Sequence, residues 1–84
     1  MKDLETLRKE IDSIDREVAA LLSRRLDLVK EIGEVKKAQG LPVLNAAREA
    51  IVLEKVRAAA TEPQKKDALE AIYRAVMEES KKLE

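Results

Sequence analysis

The feature that most constrains this chain is a row of apolar residues that recurs at alternating intervals of three and four. Nine of its ten positions are apolar, and no proline interrupts it: Leu4, Leu7, Ile11, Ile14, Val18, Leu21, Arg25, Leu28, Ile32 and Val35. This spacing is typical of the heptad seam of a helix that packs lengthwise against other helices. Gly33 falls inside it at a cost of about 1 kcal/mol relative to alanine. The row predicts a long helix over residues 3–38.

Such a helix is too long for this chain to cover by itself. At 1.5 Å per residue it spans on the order of 54 Å, whereas the whole chain has 84 residues. Chains of this size have thin cores and usually need disulfides, a metal or a partner. The sequence contains no cysteine and no histidine, which excludes disulfides and the commonest metal ligand. The seam therefore predicts a second chain, in a dimer.

The rest of the chain is also expected to be helical. Gly40 and Pro42 follow the long helix as a stop signal. Asn45 is positioned to cap a short second helix over residues 46–60. Charged residues make up 40% of the chain, with only two glycines and two prolines, a composition typical of helical proteins.

A third helix of medium length is predicted from Pro63 to near the C-terminus. Thr61 is expected to cap it, with Pro63 in its first turn. The connections are short, as in a helical bundle. The predicted fold class is all-α, with long, short and medium helices in a single domain over residues 1–84.

The charge balance narrows the possible partners. The chain has 17 basic and 17 acidic residues and one aromatic residue, Tyr73. A nucleic-acid binder normally has a net basic face, and single-strand binders add stacking aromatics, so no nucleic-acid partner is expected. No apolar run approaches the roughly 20 residues that span a bilayer, and the N-terminus lacks the pattern of a signal peptide. A cytoplasmic protein without membrane contact is expected.

Arg25 is the one polar residue in the apolar seam. Burying a guanidinium group without an anionic partner is costly, so Arg25 needs one. One interpretation is an internal ion pair with a glutamate, or a polar residue that sets the helix register. The other is an anchor for a bound carboxylate, which guanidinium holds in bidentate geometry.

Helix geometry relates Arg25 to two other cations. Lys36 lies three turns further on, nearly on the same face and about 16 Å along the axis. Both side chains can therefore contact a small dianion between them. Arg8 lies about 25 Å from Arg25 and roughly 100° around the helix, so it cannot reach that ligand from the same chain. In an antiparallel dimer, the partner's Arg8 can. A solvated surface position is the alternative for both Lys36 and Arg8.

Two residues of the later helices are also unusual. Arg48 falls in the first turn of the second helix, where the helix dipole disfavours a cation. An ion pair or a bound anion would explain it. Ser80 continues the apolar stripe of the third helix, where it either bonds back to its own backbone or faces a ligand.

Five segments, taken together, resemble the all-α chorismate mutase family along nearly the whole chain. They are Leu7-Arg8-x-x-Ile11-x-x-Ile14-Asp15, Leu21-Leu22-x-x-Arg25, Ile32-Gly33-x-x-Lys36, Pro42-Val43 and Arg48-Glu49, with Ser80 and Glu84 at fitting offsets. The resemblance implies an intertwined antiparallel homodimer of three-helix protomers with two equivalent sites. It implies chorismate, a small dianion, as the substrate.

The resemblance also implies a role for each cation. Arg25 and Arg48 would bind one substrate carboxylate region within a protomer. Arg8 of the partner subunit would bind the other carboxylate. Lys36 would donate to the ether oxygen of the breaking bond. These expectations agree with the reach of Arg8 argued from geometry.

The remaining site residues follow from the same resemblance. Glu49 would accept from the ring hydroxyl, and Ser80 would contact a carboxylate. Ile32 and Val52 would line the apolar walls. Asn45 stands where an aspartate is common in the family, a change that keeps the helix cap.

Glu84 departs from the family pattern in a way that affects the chemistry. Many members carry a glutamine there, which donates to the ether oxygen. An ionised glutamate cannot donate, so Glu84 would assist only when protonated. We therefore expect activity to rise as the pH falls toward about 5.

The implied reaction is the Claisen rearrangement of chorismate to prephenate, in phenylalanine and tyrosine biosynthesis. It is unimolecular and requires no cofactor or metal, so an isomerase for it needs orientation and preorganised donors. Lys36, Arg25 and Glu84 are the predicted catalytic residues. Two alternatives stay open at this point: an isochorismate-pyruvate lyase, and a non-catalytic helical dimerisation or regulatory domain in which an acid such as Glu49 neutralises Arg25.

Overall fold

A computed structural model describes all 84 residues and contains three α-helices and no strand. Helix α1 covers Leu4–Gln39, α2 covers Ala46–Ala58 and α3 covers Pro63–Lys81. The predicted all-α class and the order of long, short and medium helices are confirmed. The observed helix ends lie within two residues of the predicted ones wherever a boundary was given.

The ends of α1 follow from local side-chain and backbone chemistry. The Asp3 carboxylate accepts from the Thr6 backbone N–H at 2.8 Å and caps the helix. That hydrogen bond, which favours the ionised form, lowers the pKa of Asp3. At the other end Gly40 adopts a left-handed φ of 70° and donates its N–H to α1 carbonyls. Because only glycine adopts this conformation without strain, the helix stops here.

The predicted cap of α2 is confirmed, whereas that of α3 is wrong. Asn45 Oδ1 accepts from the Arg48 backbone N–H at 3.0 Å. Thr61 does not cap α3, because the N-cap position falls on Glu62, which makes no side-chain capping bond. Pro63 suits the first helical position, since its ring fixes φ and it has no N–H to satisfy. The cap is therefore the residue directly before the proline.

Helices α2 and α3 pack on each other, and α3 is the element that contacts α1. An ionic cluster ties the turn between α2 and α3. Arg57 donates to Asp67 at 2.9 Å and lies 3.4 Å from Glu70, while Lys66 donates to the Arg57 carbonyl at 2.9 Å. The hydrogen bond to Asp67 raises the pKa of Arg57. The short helices thus form a unit against one end of the long one.

The single chain leaves most of its apolar seam uncovered. It measures 55 × 25 × 15 Å, and only Val29, Met77 and Ser80 are buried. All nine apolar seam residues are at least 41% exposed: Leu4, Leu7, Ile11, Ile14, Val18, Leu21, Leu28, Ile32 and Val35. None of the three helices combines the length and apolarity needed to cross a bilayer. A row of this length exposed to water is typical of an interaction surface.

Candidate active site

A cleft of about 280 Å³ lies where the second half of α1 faces α2 and α3. Four cations and two carboxylates line it, an excess of two positive charges. Nine of the ten predicted site residues are among its lining: Arg25, Ile32, Lys36, Asn45, Arg48, Glu49, Val52, Ser80 and Glu84. Arg8 is the exception. The lining combines cationic groups for an anion with apolar walls for a ring.

Arg25 enters the cleft from the seam of α1 without forming an ion pair within the chain. Its Nη1 donates to Ser80 Oγ at 2.8 Å, and its guanidinium lies 5.3 Å from the centroid of the Tyr73 ring. Such a cation–π contact contributes about 0.5–1 kcal/mol and does not neutralise the charge. The internal ion pair considered from the sequence is therefore absent, and the guanidinium is free to bind an external anion.

Ser80 holds Arg25 in place. Ser80 is only 4% exposed. Its hydroxyl donates to the Val76 carbonyl at 2.6 Å, the bond back to the helix that the sequence allowed, while its oxygen accepts from Arg25. In this arrangement Ser80 orients the guanidinium. A hydrogen bond from Ser80 to a substrate carboxylate requires the hydroxyl to leave Val76.

The Lys36 ammonium is oriented from two sides. Nζ donates to the Val43 carbonyl at 2.7 Å and lies 2.6 Å from Glu84 Oε1. The Lys36 side chain is only 19% exposed. An ammonium has three donors, so one remains for a ligand in the cleft. The loop that follows Gly40 supplies the Val43 carbonyl, a backbone acceptor that no side-chain pattern indicates.

Gly33 allows Glu84 to reach this position. A Cβ atom at Gly33 would lie 2.8 Å from Glu84 Cα, a backbone contact that cannot move aside easily. The Glu84 side chain is 9% exposed, and its Oε1 is buried without a well-formed hydrogen bond. The sequence suggested only a cost for this glycine. The structure gives the reason for it: close packing of the C-terminal segment on α1.

The first turn of α2 brings a cation and a carboxylate to the cleft. Asn45 caps the helix, and Arg48 follows on its first turn without an ion pair in the chain. Glu49 Oε2 lies 3.2 Å from Nζ of Lys81, which also contacts Glu78 Oε1 at 2.7 Å. The hydrogen bond to Glu78, with a smaller contribution from Glu49, raises the pKa of Lys81. Sequence reasoning missed Lys81, because nothing in the pattern separates it from Lys82.

Arg8 lies far from this cleft in its own chain. It lies on a shallow surface near the start of α1 with Leu4, Glu5, Lys9 and Asp12. Its separation from Arg25 along the helix is about 25 Å. Within a single chain, Arg8 therefore contributes nothing to the cleft.

The fold and the cleft define an all-α protein with a cationic, partly apolar site suited to a small organic anion. The profile of the family named chorismate mutase type II matches residues 7–84. The chain therefore belongs to the chorismate mutase type II family, which confirms the resemblance seen in the sequence.

Curated proteins with similar sequences support the assignment to this family. The chain is 41% identical over 81 residues to the T-protein of Haemophilus influenzae, covering 95% of this chain and 22% of that protein. It is 46% identical over 56 residues to the bifunctional chorismate mutase/prephenate dehydratase of Aquifex aeolicus, covering 67% of this chain and 16% of that protein. The chain thus spans about a fifth of the length of these curated relatives.

A solved structure shares the whole fold. Chorismate mutase (form II) from Thermus thermophilus superposes with a TM-score of 0.89 at 32% identity. The match covers 98% of this chain and 93% of that one. The long helix α1, with α2 and α3 packed beside it, therefore has the architecture of a chorismate mutase.

Proposed function

We propose that this chain is a chorismate mutase, an isomerase that converts chorismate to prephenate in aromatic amino acid biosynthesis. The observation that carries the proposal is the position of the Lys36 ammonium. Its ammonium is fixed by the Val43 carbonyl and by Glu84, and it retains a free donor in a cleft with an excess of positive charge. A preorganised donor of this kind stabilises negative charge that develops on an ether oxygen.

The rearrangement requires few catalytic groups. One C–O bond breaks and one C–C bond forms within a single molecule, so no nucleophile and no proton transfer is needed. The enzyme has to hold the enolpyruvyl arm over the ring, an orientation effect. Arg25, free of any carboxylate, and Arg48, free in the first turn of α2, bind one carboxylate region in this proposal. Planar guanidinium groups suit this task, because they bind carboxylates in bidentate geometry.

The other lining residues complete the proposed site. Glu49 accepts from the ring hydroxyl, and Ser80 orients Arg25 and reaches a carboxylate on rotation. Asn45 fixes the start of α2, which carries both Arg48 and Glu49. The apolar side chains Ile32 and Val52 face the ring.

The proposed site is completed by a second copy of the chain. The exposed seam of α1 needs a cover, and Arg8 lies about 25 Å from Arg25. In an antiparallel homodimer, Arg8 of the partner subunit reaches the second substrate carboxylate. Both requirements are met by the same intertwined dimer. The cytoplasmic location and the absence of a nucleic-acid partner stay predictions from the sequence.

The product identifies the function. Purified protein is mixed with chorismate and, in a parallel sample, with isochorismate, and the products are identified by NMR. Prephenate without pyruvate supports the mutase. Release of pyruvate from isochorismate, with chorismate unchanged, would identify a lyase instead. No turnover of either substrate by a folded dimer would indicate a non-catalytic module, although the free Arg25 and the open cleft argue against it.

The activity is expected to depend on pH through Glu84. The side chain faces Lys36 of α1, and Arg48, Glu49 and Lys81 line the same cleft. An ionised carboxylate cannot donate to the ether oxygen, whereas the protonated acid can. Turnover should therefore rise as the pH falls toward about 5, measured as kcat over that range. Glu84→Gln, a permanent donor, should give high turnover with a flat profile. Equal, flat profiles for both proteins would contradict this role.

Gly33→Ala should separate stability from activity. Alanine stabilises a helix by about 1 kcal/mol relative to glycine, so α1 itself is expected to tolerate the change. The new Cβ, however, must displace Glu84 from Lys36. We expect about a tenfold lower kcat, because Lys36 loses one of the two contacts that orient it and a misplaced group costs rate. The unfolding midpoint should stay close to that of the wild type, because the clash with Glu84 offsets the gain in helix propensity. Ala38→Gly, a change on the exposed end of α1, serves as the control, and normal turnover of Gly33→Ala would refute the positioning.

A further inference from the structure

Lys81 is a cation of the cleft that the proposed mechanism does not use. It lies at the end of α3, its side chain is 23% exposed, and it lines the cleft. Its Nζ lies between two carboxylates, 2.7 Å from Glu78 Oε1 on α3 and 3.2 Å from Glu49 Oε2 on α2. The adjacent Lys82 has the same chemistry, but its side chain is 69% exposed and it pairs only with Glu79, near the end of α3. One of two consecutive lysines is thus directed into the site.

The ion pair with Lys81 reduces the repulsion between the Glu49 carboxylate and a bound dianion. A site for a dianion that contains carboxylates repels part of its own ligand, and this repulsion is strong where water is partly excluded. Glu49 is 29% exposed and directly paired with Lys81. The four cations of the cleft exceed its two carboxylates by two charges, and without Lys81 that excess would be one.

We propose that Lys81 is a positioning residue that holds the Glu49 carboxylate toward the substrate and offsets its charge. The inference rests on the proposed function, in which Glu49 accepts from the ring hydroxyl. Lys81 contacts Glu49 rather than the reacting atoms. The ring hydroxyl takes no part in bond breaking. Loss of its contact with Glu49 therefore weakens the binding of the ground state and of the transition state alike. That loss raises KM more than it lowers kcat.

The test compares Lys81→Ala with Lys82→Ala. For Lys81→Ala we expect KM for chorismate to rise about tenfold while kcat changes by less than about threefold. Lys82→Ala should behave as the wild type, and Lys81→Arg should restore most of the lost affinity by keeping the charge. Helical content measured by circular dichroism checks that each variant is folded. Equal KM values for Lys81→Ala and Lys82→Ala would overturn the proposal.

A double-mutant cycle shows whether Lys81 acts through Glu49. Glu49→Gln has a neutral acceptor that needs no counterion, so Lys81→Ala should cost less than about twofold in that background. An undiminished tenfold cost there would mean that Lys81 contacts the substrate itself, which overturns the positioning role. A wild-type protein without mutase activity would refute the proposed function. An active wild type with an unaffected Lys81→Ala would refute only this inference.

Discussion

Replacing Lys36 by alanine is expected to abolish most of the turnover while leaving the fold intact. The ammonium is the proposed donor to the ether oxygen, and contacts with the Val43 carbonyl and Glu84 orient it. Loss of one preorganised donor of this type raises a barrier by about 3–4 kcal/mol, so kcat should fall at least about a hundredfold. The measurement is kcat with chorismate, together with circular dichroism and thermal unfolding.

Lys37 provides the matched control for this experiment. It is the next residue of α1, carries the same charge and is exposed. Lys37→Ala should retain normal turnover, which separates the effect of position from that of net charge. Near-normal turnover in Lys36→Ala would remove Lys36 from the mechanism.

Replacing Arg25 by methionine should produce opposite changes in activity and stability. The guanidinium occupies a seam of otherwise apolar residues and has no carboxylate partner in the chain. Methionine has a similar length and no charge, so we expect a higher unfolding midpoint, because removing a charge from water without an ionic partner costs free energy and Arg25 is half-buried. Loss of the carboxylate anchor should lower kcat/KM by about a thousandfold.

Arg25→Lys distinguishes charge from geometry. A lysine keeps the positive charge but cannot bind a carboxylate in bidentate fashion. We expect an activity between those of the wild type and Arg25→Met, with stability close to the wild type. A fall of both activity and unfolding midpoint in Arg25→Met would instead assign Arg25 a structural role.

The helices were predictable because their signals are local and repeated. The seam from Leu4 to Val35 fixes α1 through its period alone, and Gly40 and Asn45 mark its end and the start of α2 by conformations and hydrogen bonds that few residues supply. The predicted cap of α3 was wrong because Thr61 and Glu62 both precede Pro63, and the cap falls on the nearer of the two. The proline, rather than the preference for threonine, determines the cap position.

Part of the cleft depends on contacts that leave no pattern in the sequence. The Val43 carbonyl that orients Lys36 is backbone, which every residue possesses. The need for Gly33 arises from Glu84, 51 positions away in the chain. The difference between Lys81 and Lys82 depends on the rotation of α3 about its axis. Each requires the packing of distant segments, whereas the odd cation Arg25 stood out against its own apolar neighbours.

The central claim is that two copies of this chain share each active site, and mixing two variants tests it most directly. Arg8→Ala and Lys36→Ala, each expected to be nearly inactive alone, are combined under conditions that allow subunit exchange. In the heterodimer, one site then lacks both groups and the other retains both, so about a quarter of all sites should be restored. Recovery of chorismate turnover toward that level is the predicted result. No recovery after confirmed exchange, or full activity of Arg8→Ala alone, would contradict the shared site.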